Sequence, residues 1–185
     1  MEPRAVSDLV ADLRSLGVAR GPAPRLPEGA RPSPEMLDRW ARAAALAEPD
    51  VRQAAVWAIR EAAHAAGIIP ASIHSLYVAR GKDRWSDKTV PAMNLRGWTY
   101  QTSRAAFRAA RKMDAGLLIF EQALAEAIYA KQTPAEYTAA VLAAAMREGH
   151  RGPIFLQADH DQINAANYAK DSAKETQRLS DVIRE

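Results

Sequence analysis

The sequence predicts an α/β fold: a parallel sheet built from strand–helix units, preceded by a helical extension. Three observations predict it. Short apolar runs at 90–95 (VPAMNL), 116–121 (GLLIFE) and 152–157 (GPIFLQ) alternate with helix-patterned segments. Almost uniformly apolar strands suit a sheet buried on both faces, as parallel sheets are, whereas half-solvated antiparallel strands alternate polar and apolar residues. The helix between the second and third runs is punctuated at both ends, by Thr133-Pro134-Ala135-Glu136 and by Gly149. That is a capping box with proline at the first helical position, closed by a glycine.

The elements follow in order. Val6, Leu9, Val10, Leu13 and Leu16 recur at helical spacing and predict a short amphipathic helix over 5–16. Residues 21–34, with five prolines and two glycines, read as a linker. Ser33 before Pro34 is a helix start. Helices are predicted over 35–47 and 50–66, ended by Gly67 and Pro70 and anchored by Trp40 and Trp57. After the strand at 90–95 a helix is predicted over 99–113. Its Phe107, Ala110 and Met113 face one way, and Arg104, Arg108 and Arg111 form a stripe that reads as a solvated outer face. Trp85 and Trp98, flanking the first strand, read as packing residues. Beyond the third strand, Asp171 reads as an N-cap of a helix running to the end of the chain, with Leu179, Val182 and Ile183 in register. The division is therefore an N-terminal helix (1–20), a proline-rich linker (21–34), a helical extension (35–88) and a sheet domain (89–185). Doubly wound sheets and β/α barrels both fit this order. A barrel of eight units needs about 250 residues, and three units are visible. The last helix has no stop signal. The expectation is a C-terminally incomplete chain, or one that associates to cover its third strand and helix.

Composition narrows the function classes. The chain is 48% hydrophobic and 25% charged, much of the apolar content being alanine, as expected of a soluble domain. The net charge of +3 comes from interspersed acidic and basic residues, which is no nucleic-acid footprint. Cysteine is absent, excluding disulfides, thiolate-bound zinc and thiol catalysis. No apolar run approaches the roughly 18 residues of a membrane helix. No signal peptide is evident either, so a cytoplasmic protein without a membrane or nucleic-acid partner is expected.

In parallel α/β folds ligands bind beyond the C-terminal ends of the strands. The first strand leads into Asn94 and Arg96, the second ends at Glu121 and Gln122, and the third at Gln157, Asp159 and His160. Asp159-His160 is the sharpest element. Imidazole is a common ligand of Zn²⁺, and an adjacent carboxylate can act as general acid or base. The pair equally suits a strand-to-helix turn, with aspartate capping and histidine exposed. His64, His74 and His150 lie in or near helices, and His150 precedes its strand, so no complete metal site is evident. Glu121 and Glu126 are either an acid/base pair or part of a polar loop. Gly81-Lys82 lacks the rest of a P-loop.

The segment VPAMNLRGWTYQTSRAAFRAARKMDAGLLIFE resembles the opening of the class II (zinc-dependent) fructose-bisphosphate and tagatose-bisphosphate aldolases. GPIFLQADHDQIN resembles that family's third-strand motif, an apolar strand running into Asp-His. The resemblance covers residues 89–185; residues 70–80 (PASIHSLYVAR) resemble the lead-in of longer members. It implies the N-terminal part of a (β/α)8 TIM barrel, about three units, behind the helical extension. It implies Asp159 as catalytic acid/base at the substrate C4 oxygen and His160 as first zinc ligand. Asn94, closing the first strand, and Gln157 become substrate-binding residues. The implied reaction cleaves a ketose (bis)phosphate to dihydroxyacetone phosphate and an aldehyde, with Zn²⁺ as Lewis acid. The sequence departs from the family in having Gln157 where a histidine is usual and Ala-Met-Asn for Ala-Phe-Asn. The family's other zinc ligands and phosphate loops lie on later strands, so this chain is expected to bind zinc weakly and to catalyse little. The alternative is a non-catalytic barrel subunit partnering a tagatose-bisphosphate-type aldolase. A sugar-phosphate isomerase reusing the Asp-His pair is a third reading. A sugar phosphate substrate and association, as a homo-oligomer or with a partner subunit, are expected.

Overall fold

The computed structural model describes residues 5–19, 21 and 24–184. Outside them lie the first residues and the end of the predicted N-terminal segment, part of the linker, and the last residue of the predicted final helix. In chain order the elements are α1 (Val6–Ser15), α2 (Pro34–Leu46), α3 (Pro49–Ala65), β1 (Pro70–Ala71), α4 (His74–Gly81) and β2 (Ala92–Asn94). There follow α5 (Thr99–Lys112), β3 (Ile119–Gln122), α6 (Leu124–Ala130), α7 (Pro134–Arg147), β4 (Ile154–Ala158), α8 (Ala165–Lys170) and α9 (Ser172–Arg184). The fold is mixed α/β around a small all-parallel sheet.

The helices begin where their caps dictate. Ser33 Oγ accepts from the Met36 amide at 3.2 Å ahead of Pro34. Thr133 and Glu136 cap each other reciprocally, at 3.2 and 2.8 Å, ahead of Pro134. Gly67 and Gly149, both at positive φ, close α3 and α7. Asp171 caps α9 by accepting from the Lys174 amide at 2.9 Å. α7 is the hub. It packs on α2, α3, α5 and β3, and every residue from Ala139 to Ala145 is buried. Alanine on so many sides lets neighbouring backbones approach closely. The bulk comes from elsewhere: Trp40 is fully buried, and its indole donates to Asp12 at 2.8 Å, tying α1 to α2. Arg39 adds a second bond to the same carboxylate at 2.9 Å.

The strand order is β1-β4-β3-β2. Register fixes which residues share a face. Met93, Phe120 and Leu156 form one rung, and Asn94, Glu121 and Gln157 the next. Successive residues of a strand point to opposite faces. Met93, Phe120 and Leu156 join the core beneath α5 and α7, where Phe107 meets Phe120 at 5.1 Å between ring centroids. The Asn94–Glu121–Gln157 rung therefore projects from the other face.

Several expectations are corrected. β1, α4, α6 and α8 are additional to the predicted elements. β1 takes the outer edge of β4 over two residues, Pro70 opposite Ile154 and Ala71 opposite Phe155. The arginine stripe is solvated only in part: Arg108 and Arg111 are exposed as expected, whereas Arg104 is half-buried. Arg104 and Arg108 converge on Glu148 Oε1 at 2.6 and 2.9 Å, and Arg111 donates to the Glu148 carbonyl at 2.9 Å. Trp98 does not pack. It is 85% exposed and takes a left-handed backbone at the N-cap of α5. Within 24–34, Leu26 is buried and its amide donates to Glu61 at 3.0 Å, so this stretch is fastened to α3. Among the described residues, no helix is long and apolar enough to cross a membrane.

Candidate active site

The C-terminal ends of three neighbouring strands bring the predicted residues together. Asn94 ends β2, Glu121 lies in β3, Gln157 lies in β4, and Asp159 and His160 follow β4 directly. The first turn of α6, immediately after β3, adds Glu126. Its carboxylate accepts from the Ala123 amide at 3.0 Å and so caps its own helix. A glutamate three residues into a helix is well placed for this.

Two chains of hydrogen bonds run through the cluster. In the first, Arg96 Nε donates to Glu126 Oε1 at 2.7 Å, and Asn94 Nδ2 donates to Glu126 Oε2 at 3.0 Å. The same Asn94 nitrogen donates to Asp159 Oδ2 at 3.1 Å, and His160 Nε2 lies 3.1 Å from that oxygen. Only the amide NH₂ of Asn94 can face two carboxylates, so its orientation is dictated by its partners. In the second chain, the Tyr77 hydroxyl donates to Gln157 Oε1 at 3.2 Å, and Gln157 Nε2 donates to Glu121 Oε1.

Electrostatics separate the members. Burial acts to raise the Glu126 carboxyl. Bonds from Asn94, the Ala123 amide and Arg96 outweigh it and hold Glu126 below the usual carboxylate range. Glu126 is therefore an anion fixed among donors. Beneath the cluster, the Tyr137 hydroxyl is buried near the backbone of Leu95 and Glu121. Burial raises it, joined by the nearby Glu126 and Glu121 charges and opposed by that backbone, and the balance keeps the phenol protonated. The cluster thus holds three carboxylates, Glu121, Glu126 and Asp159, and one guanidinium, Arg96, which pairs with Glu126. Such a centre suits a cation or a polyhydroxylated ligand better than a bare anion.

The site offers one imidazole. His64 lies in α3 and His74 begins α4, while His150, before β4, packs tilted against Phe107 at 5.1 Å between ring centroids. Among the described residues, no group of three His, Cys, Asp or Glu side chains is arranged to hold a metal. The His160 side chain is well exposed. A cavity of about 480 Å³ opens beside it, walled by Leu124, Ile128, Ile163 and Asn167. A larger cavity, about 670 Å³, lies between α3 and the start of α7 and shares none of the cluster's residues. Of the three arginines lining it, Arg25 and Arg52 are engaged with Glu61 and Glu136 and Arg60 lies beside them, while the connected polar groups are at the strand ends.

Sequence reading placed Asn94, Gln157, Asp159 and His160 at strand ends, and the structure joins Asn94 to Asp159 and Asp159 to His160. Gln157 belongs to the other chain of bonds. The tie from Glu126 to Asn94 and Arg96 was missed, although a glutamate four residues past a strand end was its signal. Tyr77 was also missed. α4 buries none of its residues, so no periodicity marks it. Comparison with protein-family models, with curated proteins and with solved structures returned no match.

Proposed function

We propose that this chain carries part of the active site of a class II aldolase-type aldehyde-lyase. Its substrate is a ketose phosphate or bisphosphate, and its products are dihydroxyacetone phosphate and an aldehyde. One observation carries the reading. Asn94 and Asp159, 65 residues apart in sequence, meet at 3.1 Å at the C-terminal edge of a parallel sheet. That edge is where α/β enzymes bind and transform their ligands.

The sheet is read as the opening of a (β/α)8 barrel. β2, β3 and β4 are neighbours in chain order with helices between them, and each strand end carries polar groups. The two-residue bridge of β1 on β4 is the feature a barrel does not account for, since it takes the edge a following strand would use.

In this reading Asp159 takes the proton of the substrate hydroxyl beside the breaking C–C bond, and returns it in the condensation direction. Asn94 holds the Asp159 carboxylate through Nδ2, leaving its carbonyl oxygen to accept from the substrate. Glu126 and Arg96 fix Asn94 in turn. Zn²⁺ would polarise the ketose carbonyl as a Lewis acid. His160 is the ligand this chain offers it. With no set of three ligands among the described residues, they fit the metal as a single ligand and not as a complete centre.

A second reading, a companion subunit for a tagatose-bisphosphate-type aldolase, draws on that lone imidazole. It also draws on Gln157, which stands where the family has histidine and is occupied by Tyr77 and Glu121.

Calorimetric titration of a ketose bisphosphate, with and without zinc, tests the first reading. Zinc-dependent binding that weakens about tenfold or more in Asp159→Ala is expected, the scale of a hydrogen bond to a charged group. Binding that ignores Asp159, or no binding, refutes it. In the latter case, a zinc-free chain that raises the melting temperature of a partner aldolase would establish the second reading.

A further inference from the structure

α4 lies in the helical extension, upstream of the first strand of the candidate site, yet it delivers a side chain to that site. Tyr77 is 48% exposed and reaches Gln157, 80 residues further along, at 3.2 Å. Gln157 in turn donates to Glu121, which is buried. Glu121 is the cross-strand neighbour of both Asn94 and Gln157.

The polarity of this chain is set from its buried end. An ionised carboxylate only accepts hydrogen bonds. Gln157 must therefore turn its NH₂ group to Glu121 and its carbonyl oxygen to Tyr77. That carbonyl also only accepts, so Tyr77 commits its single proton to it. What the phenol offers a ligand is then an oxygen that accepts and cannot donate. Such an oxygen suits a hydroxyl and repels a phosphate, and the carboxylate of Glu121, one residue further along the same chain of bonds, reinforces that preference.

We propose that Tyr77 is a specificity-determining residue of the candidate site, reading one hydroxyl of a polyol chain and rejecting phosphate at that position. The inference rests on the ketose-phosphate reading above and deepens it. The extension is then part of the site and not only a support for the sheet.

The test uses the whole chain supplemented with zinc. A ketohexose bisphosphate and its monodeoxy analogues, each lacking one hydroxyl, are titrated into the parent and into Tyr77→Phe. In the parent, loss of one particular hydroxyl is expected to weaken binding about three- to tenfold, the range of a single neutral hydrogen bond. In Tyr77→Phe the same loss should cost less than about twofold, with the melting temperature unchanged. Equal penalties in both proteins at every position would overturn the inference while leaving the ketose-phosphate reading intact. A lowered melting temperature with unchanged penalties would assign Tyr77 to holding α4 on the sheet, and would overturn it as well. If the parent binds no sugar phosphate, both fall together.

Discussion

Glu126→Gln is the most informative perturbation of the cluster, because it keeps the shape and removes only the charge. Three donors converge on this carboxylate: Ala123 N–H and Asn94 Nδ2 on one oxygen, each at 3.0 Å, and Arg96 Nε on the other at 2.7 Å. Glu126 is 6% exposed. Glutamine has one acceptor oxygen, so whichever side it serves, its NH₂ faces a donor on the other. Arg96 is 68% exposed, and its ion pair alone contributes little. The magnitude therefore comes from one donor left unsatisfied at a buried position, about 1–3 kcal/mol. For a domain of this size that lowers the melting temperature by about 2–12 °C. The carboxyl lies below its usual range in the folded protein. Its stabilisation is then complete above the ordinary value of 4.5 and is lost as pH falls through the folded value. The gap between parent and variant should be flat near neutral pH and close below about pH 4.5. Urea denaturation at several pH values measures it. A variant within about 0.5 kcal/mol of the parent at neutral pH would refute the view that Glu126 is a structural anion.

Three further outcomes are expected. A double-mutant cycle on Asn94→Ala and Asp159→Ala should give a coupling of about 0.5–1.5 kcal/mol in stability, and additivity would show that their contact carries nothing. Glu148→Ala should cost about 1–3 kcal/mol by urea denaturation, since it removes the buried carboxylate at the end of α7 that Arg104 and Arg108 of α5 share. Burial raises Glu148, but those arginines outweigh it, and Glu175 is drawn down to about 2 chiefly by Arg178. Both contributions are complete above the ordinary carboxylate pKa and are lost on acidification, so a parent whose stability rose on acidification below pH 4.5 would contradict them. Zinc titrated into the chain should bind far more weakly than at a four-ligand centre and release on His160→Ala, whereas tight binding indifferent to that change would place the metal elsewhere.

What the sequence disclosed follows the strength of its local signals. α2, α3 and α7 were legible to within a residue or two because Ser33, Thr133, Glu136, Gly67 and Gly149 mark their ends, and α5 because apolar residues recur along it. The parallel sheet was legible because its strands are short and apolar. β1 escaped because two residues carry no periodicity, and α4 because it has no buried face to pattern. α6 was hidden in a stretch that reads equally as a polar loop, since its start is capped by Glu126 and not by the residue before the helix. The arginine stripe was legible as a largely solvated face, but spacing does not show that Glu148 waits opposite Arg104 and Arg108. At the candidate site, position along the strands identified Asn94, Asp159 and His160. The hydrogen bonds that bind Asn94 to Glu126, and Gln157 to Tyr77, are tertiary facts that spacing does not encode.

The most direct measurement is the amide spectrum of the isotope-labelled protein as a ketose bisphosphate is titrated in the presence of zinc. The account predicts that the signals of Asn94, Glu126, Asp159 and His160 shift together and saturate at one ligand concentration. Shifts confined to the cleft of Arg52, Trp57 and Arg60 between α3 and α7, or no shifts at all, would contradict it.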